Sequence, residues 1–262
     1  MQSELLIFGK PIPVYGLLGC LGVLLGLLSV VLRCPRFGLS RDDGAYIYVF
    51  GAIGAMLGAK LLYLLLCVGD LIADLALIKT QPEIFVAKYL SGGMVFYGGL
   101  FGAIFAAWLS ARMYKQKLNS FFPVLVPAIA LAHAIARVGC FVSGCCYGTE
   151  TACSIAVTYT NSAVAPLGVP LIPVQLFEAA GELLIFAFLL WYSNHAKKRE
   201  YIVCAYLFLY APLRFVLEFF RGDVARGSFL WLSTSQWLSI LTVLAAAAYI
   251  IYTRKKSKPN CA

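Results

Sequence analysis

Residues Val14–Leu32 read VYGLLGCLGVLLGLLSVVL, without a single charge. A helix of that length covers a hydrocarbon core of about 30 Å. A soluble helix would need a polar face, and this one has none. Working outward, six further runs of the same kind follow: Ala45–Val68, Gly93–Arg112, Phe121–Gly139, Val174–Ser193, Tyr201–Phe220 and Ser233–Thr253. The composition agrees, with 61% hydrophobic and 13% charged residues in 262 and a mean hydropathy of +0.85. The sequence therefore predicts an all-α multi-pass membrane protein of seven spans, built as one membrane domain over residues 1–262. The first run lacks a basic leader and a small-residue cleavage site, so it reads as a retained helix.

The net charge of +9 could suggest nucleic acid. The basic residues instead fall in clusters between apolar runs, which excludes a nucleic-acid surface and reads as topology. Thirteen lie on one side: Arg33, Arg36, Arg41, Arg112, Lys115, Lys117, Lys197, Lys198, Arg199, Arg254, Lys255, Lys256 and Lys258. Five lie on the other: Lys10, Lys79, Lys88, Arg221 and Arg226. The positive-inside rule then puts the N-terminus outside and the C-terminus in the cytoplasm. Three outer segments follow, at about residues 69–92, 140–173 and 221–232. Gly22/Gly26, Gly54/Gly58 and Gly98/Gly102 stand four apart, a spacing that lets helix backbones approach closely in lipid. The doublets around Tyr97 (Gly92–Gly93 and Gly98–Gly99) are denser than packing requires and are candidates for close backbone approach to a ligand.

Ionisable residues inside spans are costly and mark pairs or wet cavities. Here they are Lys60, His133, Arg137, Glu178, Glu182, Arg214 and Glu218. Tyr210, Arg214, Glu218 and Arg221 share one helical face, and two arginines bracketing one carboxylate leave a positive charge over. That stripe suits an anionic headgroup; the plainer reading is a self-neutralising structural pair. Arg137, four residues after His133, offers a planar fork for phosphate oxygens, or else snorkels to the interface. Glu178 and Glu182 share a face and cannot both ionise cheaply. Lys60, Arg137 or Arg214 could partner one of them, and Lys60 and Tyr63 could belong to the same polar interior.

Nine cysteines are present. Cys20, Cys34, Cys67, Cys204 and Cys261 are scattered and read as small apolar filler. Cys140, Cys145, Cys146 and Cys153 cluster beyond span four. Disulfides stapling the outer loop, free thiols lining a site, and a metal site perhaps including His133 are the three readings. The C-x4-C-C-x6-C spacing matches no standard zinc pattern.

The run from His133 to Gly148 resembles the signature of prolipoprotein diacylglyceryl transferases, G-R-x-G-N-F-x-N-x-E-x-x-G. It keeps Arg137, Gly139, Phe141 and Gly148. Ala136, Cys140, Ser143 and Cys145 replace the first Gly, the two Asn and the Glu. Val14–Gly16, Gly54–Tyr63, Gly92–Leu100, Pro173–Ala179, Arg214–Arg221 and Leu232–Ser239 resemble further family elements in the same order. The resemblance implies transfer of the diacylglyceryl group of phosphatidylglycerol to a thiol, the lipobox cysteine in a prolipoprotein signal peptide, with glycerol phosphate leaving. It implies a bacterial cytoplasmic-membrane enzyme with no cofactor and no metal. Arg137, Arg214, Glu218 and Tyr97 are then the catalytic candidates. Tyr15, Gly98, Gly99, Gly139, Cys140, Cys145, Gly148, Glu178, Tyr210 and Arg221 are the substrate-binding ones, with Gly139 and Gly148 shaping a turn beneath the clamp. Tyr97 stands where the family has a histidine, and a phenol is a poor general base at neutral pH. A diverged relative with another acceptor, Cys145 as carrier of a covalent intermediate, a membrane thiol–disulfide protein and a lipid or anion transporter are the alternative readings.

Overall fold

The computed structural model describes residues 4–7, 10–162, 164–222 and 228–256. Arg226, Lys258 and Cys261 lie outside the described residues. In chain order the elements are β1 (Glu4–Ile7), β2 (Lys10–Pro13), α1 (Val14–Arg33), α2 (Arg41–Leu66), α3 (Val68–Ala73), α4 (Leu77–Thr80), α5 (Pro82–Phe85), α6 (Phe96–Met113), α7 (Phe122–Ser143), β3 (Val157–Thr158), β4 (Pro170–Leu171), α8 (Val174–Tyr192), α9 (Tyr201–Glu218), β5 (Ser228–Phe229), β6 (Leu232–Ser233) and α10 (Thr234–Lys256). The strands pair only as antiparallel two-stranded ribbons, β1–β2, β3–β4 and β5–β6.

The chain is an all-α multi-pass membrane protein, and six of its helices are long and apolar enough to span a membrane. They contain α1, α2, α7, α8, α9 and α10. The remaining expected span, Gly93–Arg112, is the 18-residue helix α6, which falls outside those six.

The helices fall into two compact units. One comprises residues 30–121. In it α2 crosses α6 at the glycine pairs. A Cβ on Gly58 would strike the Gly98 carbonyl oxygen, and one on Gly102 would strike that of Gly54. Gly99 faces the Ala55 carbonyl in the same contact. Gly98 and Gly99, expected to approach a ligand, are therefore accounted for by backbone packing. Gly93 alone of these needs its freedom for conformation: its φ is +66° and the Tyr63 ring lies against it. Lys60 donates to the Gly92 carbonyl at 2.5 Å, and Tyr63 donates to the Lys88 carbonyl at 3.1 Å. Lys60 thus holds the turn into α6, a structural role that replaces the expected one as carboxylate partner. The expected outer segment at about residues 69–92 is a chain of short helices. Lys88 and Tyr89 both donate to Asp74 Oδ2 at 2.7 Å. These bonds hold the Asp74 carboxyl below the usual carboxylate range.

The other unit comprises residues 1–29 and 122–262. Here α7, α8, α9 and α10 pack in sequence, and α1 meets α7 where Gly22 leaves room for the Ala132 carbonyl. Val126, Ala130, Ile185, Leu189 and Ile202 form its apolar centre.

Replacing Gly102 by leucine should force α2 and α6 apart and cost about 1–3 kcal/mol. Thermal unfolding of the purified protein checks this. Gly69, whose Cβ would meet nothing within 4 Å, is the control, and Gly69→Ala should leave the transition in place.

Candidate functional site

In the unit built from α1 and α7 to α10, two buried ionic clusters stand on neighbouring helices. The first joins α7, α8 and α9. Arg137 Nη2 lies 2.9 Å from Glu178 Oε1, and Tyr210 donates its hydroxyl to the same oxygen at 3.2 Å. Arg137 Nε also donates to His133 Nε2 at 3.1 Å. That bond fixes the tautomer: Nε2 accepts, so the neutral ring carries its proton on Nδ1 and donates it to Glu182 Oε1 at 2.7 Å. Tyr206 donates to that oxygen as well, at 3.1 Å. The two carboxylates of α8 thus have separate partners. Glu178 takes the guanidinium, and Glu182 takes an imidazole and a phenol. The four-residue spacings on α7, α8 and α9 bring this about, because each pair presents one face of its helix.

The second cluster joins α9 to α10. Arg214 Nη2 lies 2.5 Å from Glu218 Oε2, and Arg221 Nε lies 4.0 Å from the same oxygen. Two guanidiniums therefore share one carboxylate, the excess positive charge read from the sequence. Ser233 donates to Glu218 Oε1 at 2.9 Å, and Arg214 donates to Ser235 Oγ at 3.3 Å. Ser233 is held in turn by its own N–H donating to Gln236 Oε1 at 2.9 Å.

Tyr210 shares the Glu178 oxygen with Arg137 and stands one turn before Arg214 on α9. The stripe expected on one face of α9 is divided. Tyr210 serves the α8 cluster, while Arg214 and Glu218 serve the α10 cluster. Arg221 lies beyond the helix, which ends at Glu218. It is delivered by a bridge to Gly148, because Thr149 donates to the Phe220 carbonyl at 2.8 Å and Gly222 to the Tyr147 carbonyl at 3.0 Å.

Buried polar atoms without a hydrogen-bond partner gather here. Among the described residues they include Arg214 Nη1, Glu178 Oε2, Glu182 Oε2 and Gln175 Oε1. Arg214 is only 8% exposed. Buried donors and acceptors in this state are the usual mark of a ligand or water site. Between α9 and α10, Ala211, Phe215, Ile240 and Leu244 line an apolar groove of about 320 Å³.

The cysteines are the third component. Cys140 sits in the last turn of α7. Gly144 (φ +74°) and Cys146 (φ +60°) then fold the chain back, so that the Cys140, Cys145 and Cys146 sulfurs all lie within 4.8 Å of one another. The left-handed positions of this turn are Gly144 and Cys146, not the expected Gly139 and Gly148. Gly139 lies inside α7, where a Cβ would press on the Tyr15 ring at 3.3 Å and on Leu18. Gly148 has no room for a Cβ against the Ile172 carbonyl. All four clustered cysteines carry free thiols, and Cys153 is exposed, outside the group of three. Hydrogen bonds from Cys140 and Cys145, with Arg221 beside it, pull the Cys146 thiol well below the usual thiol range; hydrogen bonds with Cys140 and Cys146 push the Cys145 thiol up. Tyr15 is within electrostatic reach of these sulfurs and of Arg137.

The structure thus gathers Tyr15, Arg137, Gly139, Cys140, Cys145, Gly148, Glu178, Tyr210, Arg214, Glu218 and Arg221 in one unit. Tyr97, Gly98 and Gly99 belong to the other. Sequence reasoning left Gln175, Tyr206, Ser233 and Ser235 unassigned. Gln175 donates to the Cys145 carbonyl at 2.8 Å and so holds the thiol turn. Tyr206 stood four residues before Tyr210, a signal that was available. The serines had none beyond their place in a motif.

The profile of the family described as "Prolipoprotein diacylglyceryl transferase" matches residues 4–252. The chain is 36% identical to the "Phosphatidylglycerol--prolipoprotein diacylglyceryl transferase" of Clostridium tetani, covering 91% of this chain and 92% of that one. It is 32% identical to the "Phosphatidylglycerol--prolipoprotein diacylglyceryl transferase 2" of Clostridium perfringens, over 96% and 94% of the two chains. With the protein of that name from Finegoldia magna the identity is 31%, over 95% and 94%. A match of this extent, on a helical membrane protein whose ionic clusters lie at the motif residues, means that the chain belongs to the prolipoprotein diacylglyceryl transferase family.

Proposed function

We propose that this chain is a transferase of the bacterial cytoplasmic membrane, one catalytic domain with its N-terminus outside. It moves the diacylglyceryl group of phosphatidylglycerol to a thiol, the lipobox cysteine of a prolipoprotein. The observation that carries the reading is that Tyr210, one turn before Arg214 on α9, donates to the same Glu178 oxygen that pairs with Arg137, with Arg214 Nη1 buried and without a hydrogen-bond partner among the described residues.

In this reading the headgroup phosphate lies between the two guanidiniums. The acceptor sulfur attacks the glyceryl carbon and forms the C–S bond. The C–O bond to phosphate breaks, glycerol phosphate leaves, and the thiol proton goes to solvent or to the departing phosphate. Negative charge grows on the leaving oxygen, and forks already fixed by Glu178 and Glu218 stabilise it without reorganising. Arg221 and Glu218 position Arg214. The groove between α9 and α10 is apolar, as an acyl chain requires. Tyr97 takes the sequence position of the family's histidine. Cys145 as covalent carrier is disfavoured chemically, because a diacylglyceryl thioether has a poor leaving group.

Purified protein incubated with labelled phosphatidylglycerol and a lipobox peptide should release glycerol phosphate and lipidate the peptide. Absence of release would point to binding or transport instead. Arg214→Lys keeps the charge but loses the planar fork, and should lower kcat by about 100-fold; near-full activity would remove bidentate phosphate binding from the mechanism. Tyr97→Phe should lower kcat by about 100-fold with little change in KM. An unaltered kcat would take Tyr97 out of the reaction.

A further inference from the structure

The Cys140–Cys145–Cys146 group is not explained by phosphate binding. We infer that these three residues form a tri-thiolate site for a thiophilic divalent cation, Zn2+ above all, whose open fourth position takes the acceptor thiol. The first half stands on geometry alone; the second rests on the transferase reading.

A tetrahedral zinc–thiolate site with bonds of about 2.3 Å places its sulfurs about 3.8 Å apart. The three sulfurs here are at most 4.8 Å apart, so modest side-chain rotation closes the site. The backbone is already arranged for it. Cys140 comes from the rigid end of α7, and the left-handed turn at Gly144 and Cys146 aims the other two back. The turn is held from outside by Gln175 on the Cys145 carbonyl, and by Tyr159, which donates to the Phe141 carbonyl at 3.0 Å. Cys140 is buried and its two partners are half-buried, leaving one side open.

The charges balance. With all three sulfurs bound as thiolates, the M(SR)3 centre carries a charge of −1. Entry of the acceptor thiol releases a proton and brings the charge to −2. Arg137 and Arg221 are both within electrostatic reach of the sulfurs and offset it. A metal-bound thiol is deprotonated outright, which supplies a nucleophilic sulfur in a chain whose Tyr97 is ill suited to act as base. Disulfide formation between two of the cysteines is the competing fate, and it would leave no tri-thiolate.

The test uses the full-length protein in nanodiscs, reduced and freed of metal. Titration with Cd2+ should give a sulfur-to-metal charge-transfer band that saturates at one equivalent. It should protect Cys140, Cys145 and Cys146 from maleimide, mapped by mass spectrometry, while Cys153 stays reactive. Zn2+ should compete. Cys140→Ser, Cys145→Ser and Cys146→Ser should each weaken binding by at least tenfold, and Cys153→Ser should not. A lipobox peptide should raise the band by about a third, whereas its Cys→Ser form should not. No band, no protection of the wild-type chain, or an intramolecular disulfide in protein isolated without reductant would overturn the site. A band that the peptide leaves unaltered would overturn the fourth-ligand role. Failure of the transferase reading would show separately, as Cd2+ binding without any release of glycerol phosphate.

Discussion

The unit formed by α7 to α10 is organised by one constraint: a charge inside a bilayer must be paired or solvated. Arg137 and Arg214 meet it with Glu178 and Glu218, at 2.9 and 2.5 Å. Breaking a buried pair by removing one partner typically costs about 3–5 kcal/mol. Arg137–Glu178 ties α7 to α8, and the serines that hold Glu218 and Arg214 tie α9 to α10. The ion pairs therefore hold both the packing and the reactive geometry. The carboxylates are only partly used, with Oε2 of both Glu178 and Glu182 lacking hydrogen-bond partners among the described residues. The arrangement is fixed in position but not saturated, which is what a site for an incoming polar ligand requires.

The other unit is organised differently. Its α2–α6 contact rests on backbone-to-backbone approach at Gly54, Gly58, Gly98 and Gly102. Small residues are the general solution when apolar burial drives no association in lipid. Lys60, an ionisable group in a predicted span, here satisfies the carbonyls of the turn before α6. An intramembrane lysine need not belong to a reactive site when backbone acceptors lie within its reach.

The thiol turn shows how a loop can be as well defined as a helix. Backbone bonds join residues 147–149 to 220–222 and to Ile172, and these bonds bring Arg221 beside Cys146. Cysteines stand at 140 and 145 of this turn, where the signature it resembles carries amide and carboxyl side chains.

The sequence by itself determined the membrane class, the ends of most helices to within a few residues, and the inventory of buried charges. Hydropathy and four-residue spacing are local quantities, so Arg214–Glu218 and the shared face of Glu178 and Glu182 could be read directly. Only the tertiary structure decided who pairs with whom: Glu178 with Arg137, Glu182 with the neutral His133, Lys60 with carbonyls of its own unit. It also moved Arg221 off the helical stripe and gathered three cysteines whose spacing matches no known metal pattern. The physical reason is that pairing between helices depends on their rotation and depth, and loop contacts depend on hydrogen bonds between distant segments. Neither is encoded in the periodicity of any one stretch.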